Sequence, residues 1–298
     1  MRAYSIGRDA QANRQRSVAI PDLPIAATAA YLETMTNTRQ PSLFIPHGGG
    51  PCFFMDDPAG NWTGMAAYLR SIAASLPEKP KAILVVSGHW ETRGFAFTGA
   101  TTPPLIYDYG GFPAHTYEIR YDVPGDPALA ARAADLLRKA GLTANVDPTR
   151  GLDHGVFIPM KVAFPDADIP VVEMSVDRDL DPALHAAAGH ALAPLRDEGV
   201  LIVGSGMSFH NMRGYGDPRF TAPSEAFDQW LTAAVESEPT ARAEALGGWA
   251  EAPAGRLSHP REEHLLPLMV VAGASDQSGT QDYSERVLQT AISGYRFN

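Results

Sequence analysis

Short runs of mostly apolar residues alternate with amphipathic segments along most of this chain. The mostly apolar runs predict buried strands, because a strand covered on both faces has few polar positions. These predicted strands are 42–45, 82–86, 95–98, 142–146, 169–176 and 200–203. Apolar residues at helical spacing, with Pro or Gly at the ends, predict helices. These are 61–76, 127–140, 155–164, 181–195, 224–235, 241–249 and 260–272, with Ser224 as the cap of the fifth.

Strand–helix alternation of this kind predicts an α/β fold. We expect a single domain over 41–298, with a central sheet, largely parallel or mixed, flanked by helices. The segment 103–113 is rich in Pro, Gly and Tyr and is predicted to be a long loop over the sheet. The segment 284–297 is ambiguous in pattern, with a closing strand as one interpretation. Residues 1–40 are predicted to be an extension that is disordered or not part of the core.

Composition narrows the function classes. The chain has 298 residues, 45% of them hydrophobic, and a formal net charge of −10. Nucleic acids and anionic membranes attract basic surfaces, so neither is expected as a partner. No apolar run is long enough to cross a bilayer. Cys52 is the single cysteine, which excludes a disulfide framework and a cysteine-based zinc cage. A cytoplasmic monomer or small homo-oligomer is expected.

Four short segments each place a histidine beside glycine or proline, at predicted strand ends or in loops. They are Pro46-His47-Gly48-Gly49-Gly50-Pro51, Ser87-Gly88-His89-Trp90-Glu91, Leu152-Asp153-His154-Gly155, and Gly204-Ser205-Gly206 followed by His210-Asn211. Ligands of open α/β sheets bind beyond the carboxyl ends of the strands. Neutral imidazole is the commonest protein ligand for zinc- and iron-type metals. The pattern therefore predicts a metal site at this edge of the sheet.

The histidines differ in what their neighbours indicate. His47 and His89 directly follow predicted strands and are predicted metal ligands. His154 has an acid beside it, which favours a general acid or base. His264 lies in the predicted helix 260–272, where capping or core packing is the default. His185 and His190 are predicted to be partly exposed and to have no chemical function. Tyr109 and His115 are candidate substrate contacts, although ordinary packing would explain their positions equally well.

Taken together, the motifs resemble the class III extradiol ring-cleavage dioxygenases, in the group that includes the 4,5-DOPA extradiol dioxygenases and the LigB-like enzymes. Besides the four histidine segments, the resemblance rests on Tyr107-Asp108-Tyr109-Gly110-Gly111-Phe112-Pro113 and Glu263-His264-Leu265-Leu266-Pro267-Leu268. All six occur in the same order as in that family, and the resemblance covers most of 41–298.

The resemblance implies one non-haem metal ion, Fe²⁺ or Zn²⁺, held by His47, His89 and His264. It places His210 at the metal or just beyond it, as a ligand or an acid/base, and His154 as the acid/base. The implied reaction inserts O₂ into a catechol-type ring and gives a ring-opened semialdehyde. A histidine would take the phenolic proton and return it later.

Two alternatives stay open from the sequence alone. A zinc-dependent hydrolase would explain the histidines equally well, although the Gly-x-Ser-x-Gly nucleophile turn of the serine hydrolases is absent. A non-catalytic metal-binding protein on the same fold is the second alternative. Identification of the bound metal and measurement of O₂ consumption with catechols would distinguish these two alternatives from a dioxygenase.

Overall fold

Eight strands form one mixed sheet whose four central members run parallel. The computed structural model describes residues 38–298. Residues 1–37 of the predicted extension 1–40 therefore lie outside the described residues. The strands are β1 (Ser42–Pro46), β2 (Ala82–Thr92), β3 (Phe95–Thr98), β4 (Ala144–Asp147), β5 (Val171–Asp177), β6 (Val200–Gly206), β7 (Gly279–Val287) and β8 (Thr290–Phe297). Their order across the sheet is β4-β3-β5-β2-β6-β1-β8-β7. The predicted α/β class with a mixed sheet is confirmed.

Helices cover both faces of the sheet. They are α1 (Thr63–Ser75), α2 (Pro127–Lys139), α3 (His154–Ala163), α4 (Pro182–Leu192), α5 (Pro194–Asp197), α6 (Thr221–Glu236), α7 (Pro239–Gly247), α8 (Gly255–Ser258) and α9 (Leu266–Gly273). Side chains alternate across a strand, so Leu84 and Val86 pack into one apolar cluster with α2, α4, α6 and α9, while Ile83 and Val85 pack into another with α1 and α3. Within residues 38–298, no helix is long and apolar enough to cross a membrane.

The sequence pattern did not identify the two outer strands beyond β1, which are β8 and β7. The segment 284–297 forms parts of both β7 and β8, which pair antiparallel as a hairpin. The β8 strand then pairs antiparallel with β1. The alternating exposure of β7 reflects its place at the sheet edge, with one face in solvent.

Three further predictions need correction. The helix α6 begins at Thr221, and Ser224 lies inside it rather than capping it; its hydroxyl donates to the Thr221 carbonyl and accepts from the Ala291 N–H. The predicted helix 181–195 is divided into α4 and α5, because Pro194 has no N–H to continue the helical hydrogen bonds. His185 is fully buried, with its Nε2 accepting from the Asp177 N–H, whereas His190 is exposed.

The correction with most consequence concerns His264. The predicted helix 260–272 begins only at Leu266, so His264 lies in a turn before α9. Its carbonyl accepts a hydrogen bond from the Met207 N–H, 3.1 Å away, just beyond the end of β6. Pairing with the sheet edge therefore replaces the helical hydrogen bond that this carbonyl would otherwise make.

Candidate metal centre

The ends of β1 and β2 deliver the first two histidines. His47 directly follows β1, and its N–H donates to the Gly206 carbonyl at the end of β6, 3.1 Å away. The chain then turns at Gly48, whose φ of 77° is a left-handed conformation that favours glycine. In β2, the register with β5 shifts between Ser87 and Glu91, so the intervening residues, His89 among them, bulge from the ladder. A bulge re-aims side chains at a sheet edge, and here it directs His89 toward His47.

The turn that carries His264 packs directly on the sheet edge. A Cβ at Gly88 would lie 2.6 Å from the Glu263 carbonyl oxygen, and a Cβ at Gly206 would overlap the His264 carbonyl. Glycine is therefore required at both positions for this turn to approach the strands. The glycines of two histidine motifs thus position a third histidine that lies far from them in sequence.

Three imidazoles converge at this edge. His89 Nε2 and His264 Nε2 lie 3.1 Å apart. The His47 ring centroid is 5.0 Å from that of His89 and 5.1 Å from that of His264. His47 Nε2 is buried and has no hydrogen-bond partner among the described residues, while its Nδ1 lies 2.8 Å from the Gly48 carbonyl. An orphaned buried nitrogen beside two facing imidazole nitrogens is the arrangement that a cation would satisfy.

The electrostatics keep these imidazoles neutral. Burial lowers the pKa of His47 well below its usual value, and the neighbouring histidines lower it further. Burial likewise lowers the pKa of His264, and it lowers that of His89 to about 4. Neutral imidazole is the form that binds metals, so the donor set fits a metal ion of the zinc or iron type.

His154 stands beside this group and is oriented by a carboxylate. It is the first residue of α3. Its Nδ1 lies 2.7 Å from Asp108 Oδ1, and its backbone N–H donates to the same oxygen over 2.9 Å. The His154 ring centroid is 4.0 Å from that of His89. Because Asp108 accepts from Nδ1, the proton of neutral His154 lies on that nitrogen and Nε2 is free to accept.

His210 lies on the other side, stacked on His264. Their ring centroids are 3.5 Å apart with an interplanar angle of 16°. Glu263 joins the two rings, since its Oε1 lies 3.0 Å from His264 Nδ1 and 3.5 Å from His210 Nδ1. Burial alone would raise the pKa of Glu263, but hydrogen bonds from both histidines outweigh it and hold that pKa well below its usual range. Glu263 therefore stays ionised and orients His264.

Ligating atoms form two close groups within residues 38–298. One comprises His47, His89 and His154, and the other His210, Glu263 and His264; within each group the atoms lie within 4.8 Å of one another. The contact between His89 and His264 joins the groups. The five histidines predicted as metal ligands or as acid/base groups are therefore brought together.

A cavity of about 390 Å³ opens beside the histidines. Its lining residues are His47, Gly48, Gly49, Gly50, Trp62, His89, Tyr109, Gly110, Phe112, His154, His210, Met212, Tyr215 and Leu288. Its volume falls in the range of about 300–1,000 Å³ typical of small-molecule sites. Tyr109, a predicted substrate contact, is part of this lining. His115 is not; it is exposed, and its Nε2 lies 3.0 Å from the Phe54 carbonyl.

Sequence reasoning missed a buried carboxylate network beneath the histidines. Asp153 accepts from Ser87 Oγ at 2.8 Å and from Arg150 Nη2 at 3.1 Å. Its N–H donates to Glu173 Oε2 at 3.0 Å, and burial beside Asp153 raises the pKa of Glu173 well above its usual value. The signal was Glu173, a glutamate within the predicted buried strand 169–176. Asp108 was missed as well, although it lies inside a quoted motif.

Comparisons with known proteins show the family to which this chain belongs. The family model described as the catalytic LigB subunit of aromatic ring-opening dioxygenase matches residues 42–296. The chain is 39% identical over 299 residues to a dioxygenase named tasH from Hapsidospora irregularis, covering 91% of this chain and 90% of that relative. It is 38% identical over 260 residues to 4,5-DOPA dioxygenase extradiol of Beta vulgaris, covering 85% of this chain and 94% of the relative.

Bacterial relatives extend the match. The chain is 38% identical over 248 residues to 4,5-DOPA dioxygenase extradiol of Escherichia coli (strain K12), covering 81% of this chain and 88% of the relative. A crystal structure of an uncharacterized protein from E. coli K12 superposes with a TM-score of 0.71 at 31% identity, covering 87% of this chain and all of that one. The resemblance and the fold predicted from sequence are confirmed.

Proposed function

Because this chain belongs to the LigB family of aromatic ring-opening dioxygenases, we propose that it is an extradiol dioxygenase that inserts O₂ into a catechol-type ring to give a ring-opened semialdehyde. The observation that carries the proposal is the convergence of His47, His89 and His264 beside a fourth histidine held by a carboxylate, at the wall of an aromatic-lined cavity.

We assign His47, His89 and His264 as the residues that would hold one metal ion, Fe²⁺ or Zn²⁺. Three neutral imidazoles, those of His47 and His264 buried and that of His89 half-buried, fit either ion. A bound iron would supply the redox chemistry with O₂ and polarise the catechol oxygens. Glu263 orients His264 through Nδ1, as carboxylates commonly orient ligating histidines.

His154 is the proposed acid/base. A catechol must lose a proton before its ring can be oxidised, and a positioned imidazole can accept that proton and return it. The short contact to Asp108 sets Nε2 as the acceptor and stabilises the imidazolium that forms. His154 borders the cavity, so its free nitrogen is within reach of a bound phenol.

His210 can take either of two roles, a further metal ligand or a proton donor. Its ring borders the cavity while its Nδ1 faces Glu263. Replacing His210 with alanine separates the roles: loss of metal at saturating concentration identifies a ligand, whereas full metal content with slowed turnover identifies a proton donor.

Tyr109 contributes to the aromatic wall against which a flat ring would pack. Its ring meets those of Phe112 and His154 edge to face, with centroids 5.5 Å and 5.7 Å apart. The Tyr109 hydroxyl donates to the Thr116 carbonyl, which holds the loop against the cavity. His115 lies on the same loop but outside the cavity lining, so its assignment as a substrate contact remains a prediction.

The proposal is tested by oxygen uptake. Metal-free protein is loaded anaerobically with Fe²⁺, and O₂ consumption and semialdehyde absorbance are followed with a panel of catechols. We expect stoichiometric O₂ consumption and a yellow product. The His154→Gln variant should bind iron but turn over at least about a hundredfold more slowly, while His190→Gln, at an exposed position on α4, is the matched control.

Absence of O₂ uptake across the panel, with iron confirmed bound, would contradict the proposal. Hydrolysis of an ester by the zinc-loaded protein without O₂ consumption would instead favour a zinc hydrolase. Both measurements use the same purified protein.

A further inference from the structure

We propose that the cavity selects catechols with an uncharged, apolar substituent, and that Leu288 and Met212 form the wall that selects them. This inference rests on the proposed function and names its substrate class. It goes beyond that function because the relatives named for 4,5-DOPA are named for a charged amino acid.

The chemistry of the cavity wall carries the inference. Apart from the histidines of the metal centre and the tyrosines, its side chains are apolar: Trp62, Phe112, Met212 and Leu288. No lysine, arginine, aspartate or glutamate among residues 38–298 belongs to the lining. A carboxylate placed against such walls loses its hydration without gaining a partner, whereas an alkyl group gains by burial.

Two arginines close to the histidines, Arg150 and Arg261, are paired with protein carboxylates. Arg261 forms a two-pronged contact with Glu91 and lies 3.3 Å from Glu263. Arg150 pairs with Asp153 and lies over the Trp90 ring, 5.0 Å from its centroid. Each guanidinium is thus matched by protein carboxylates, which leaves neither arranged to receive a substrate carboxylate.

Leu288 is held at the cavity by a strained turn. It lies between β7 and β8 with a φ of 47°, and Gln289 beside it has a φ of 71°. Bulky residues rarely adopt this region, and hairpin turns of this kind usually carry Asn or Gly. The turn is fixed by the Gly216 N–H, which donates to the Leu288 carbonyl over 2.6 Å, and by Thr221 Oγ1, which donates to Gln289. An apolar side chain kept at a strained position on a cavity wall points to a role in that cavity.

Met212 is the second member of this wall. It is 70% exposed, the most exposed of the large hydrophobic residues in the described chain, yet it lines the cavity. A flexible thioether at a cavity mouth adapts to apolar groups of varied shape. We infer that a substituent on the catechol ring covers Met212 when it is bound.

The experiment compares two substrates that differ in one charge: 3-(3,4-dihydroxyphenyl)propionate and its methyl ester. We expect the iron-loaded protein to use the ester with a kcat/KM at least about tenfold higher than that for the acid. Burial of one methylene raises affinity by about fourfold, and the carboxylate of the acid must in addition lose its hydration. Calorimetric titration of the anaerobic protein with each compound should give the same order of affinity.

The Leu288→Lys variant supplies the local test. Lysine adopts the positive φ of this position no more readily than leucine does, so the backbone strain of the variant equals that of the wild type. The substitution therefore changes only the wall of the cavity, to which it adds a positive charge. The ester-to-acid ratio should fall by about tenfold. The matched control is Gln289→Lys, which adds the same charge in the same turn on an exposed side chain outside the lining. Its ratio should stay at the wild-type value.

The outcomes are separable. Equal use of acid and ester, or preference for the acid, overturns this inference while leaving ring cleavage intact; a shift as large in Gln289→Lys as in Leu288→Lys does so too. Failure to cleave any catechol overturns the proposed function itself. If Leu288→Lys does not fold, Met212→Lys at the exposed mouth gives the same test, and an unchanged ratio there counts against the inference.

Discussion

Replacement of Asp108 by asparagine tests whether this carboxylate acts through His154. Asparagine keeps the size of the side chain but removes its charge. Asp108 Oδ1 accepts from both His154 Nδ1 and the His154 N–H, at 2.7 Å and 2.9 Å. If the amide nitrogen faces Nδ1, the histidine proton is driven to Nε2, and the nitrogen that faces the cavity can no longer accept one.

The magnitude follows from these contacts. A hydrogen bond to a charged group contributes about 1.5–3 kcal/mol. Loss of the carboxylate destabilises the imidazolium by this amount, which lowers the rate by about 10- to 150-fold. Reversal of the tautomer adds to this loss. General acid–base catalysis contributes about 10²–10⁴ in total, which bounds the effect. We therefore expect kcat to fall by about 10²–10⁴ while the bound iron content is unchanged.

The assay is steady-state oxygen uptake with iron content measured on the same samples. A double-mutant cycle decides the route of the effect. If Asp108 acts through His154, the double variant Asp108→Asn/His154→Ala should be no slower than His154→Ala alone. A more acidic catechol such as 4-nitrocatechol should also recover much of the lost rate, because it needs less help to ionise. Additive losses in the cycle, or loss of iron from Asp108→Asn, would refute the reasoning.

Three other predictions concern the metal and the core. His47→Ala should abolish stoichiometric binding of Fe²⁺ or Zn²⁺ measured by metal analysis, with His190→Ala unchanged; full metal content in the first variant would disprove the ligand assignment. Chelation by EDTA should lower the thermal unfolding midpoint by about 5 °C, and added Zn²⁺ should restore it, because a bound ion stabilises the folded state; an unchanged midpoint would indicate that no metal site is present. Arg196→Ala should lower the free energy of unfolding in urea by about 3–5 kcal/mol, since the buried guanidinium donates to the carbonyls of Gln40, Ala274 and Phe297; a loss below about 1 kcal/mol would contradict this.

Local pattern alone was sufficient for the central strands and for the strand-end histidines. The apolar runs at β2, β5 and β6 are long enough to identify buried parallel strands, and parallel strands bring their carboxyl ends to one edge. His47 and His89 were therefore predictable as neighbours from the strands that carry them. The family followed from short motifs whose order along the chain is itself sequence information.

Tertiary structure decided the remaining parts, because they depend on contacts between segments far apart in the chain. His264 reaches the centre from a turn, not a helix, since its carbonyl pairs with Met207 and the turn needs glycines on two distant strands. Asp108 meets His154 across a loop, and the hairpin turn places Leu288 in the cavity. Hydrophobic periodicity records which face of an element is buried, but not which distant backbone or side chain meets it. The sequence thus determined which histidines are available at the sheet edge. Only the tertiary structure determined which carboxylates orient these histidines and which side chains line the cavity that would receive a substrate.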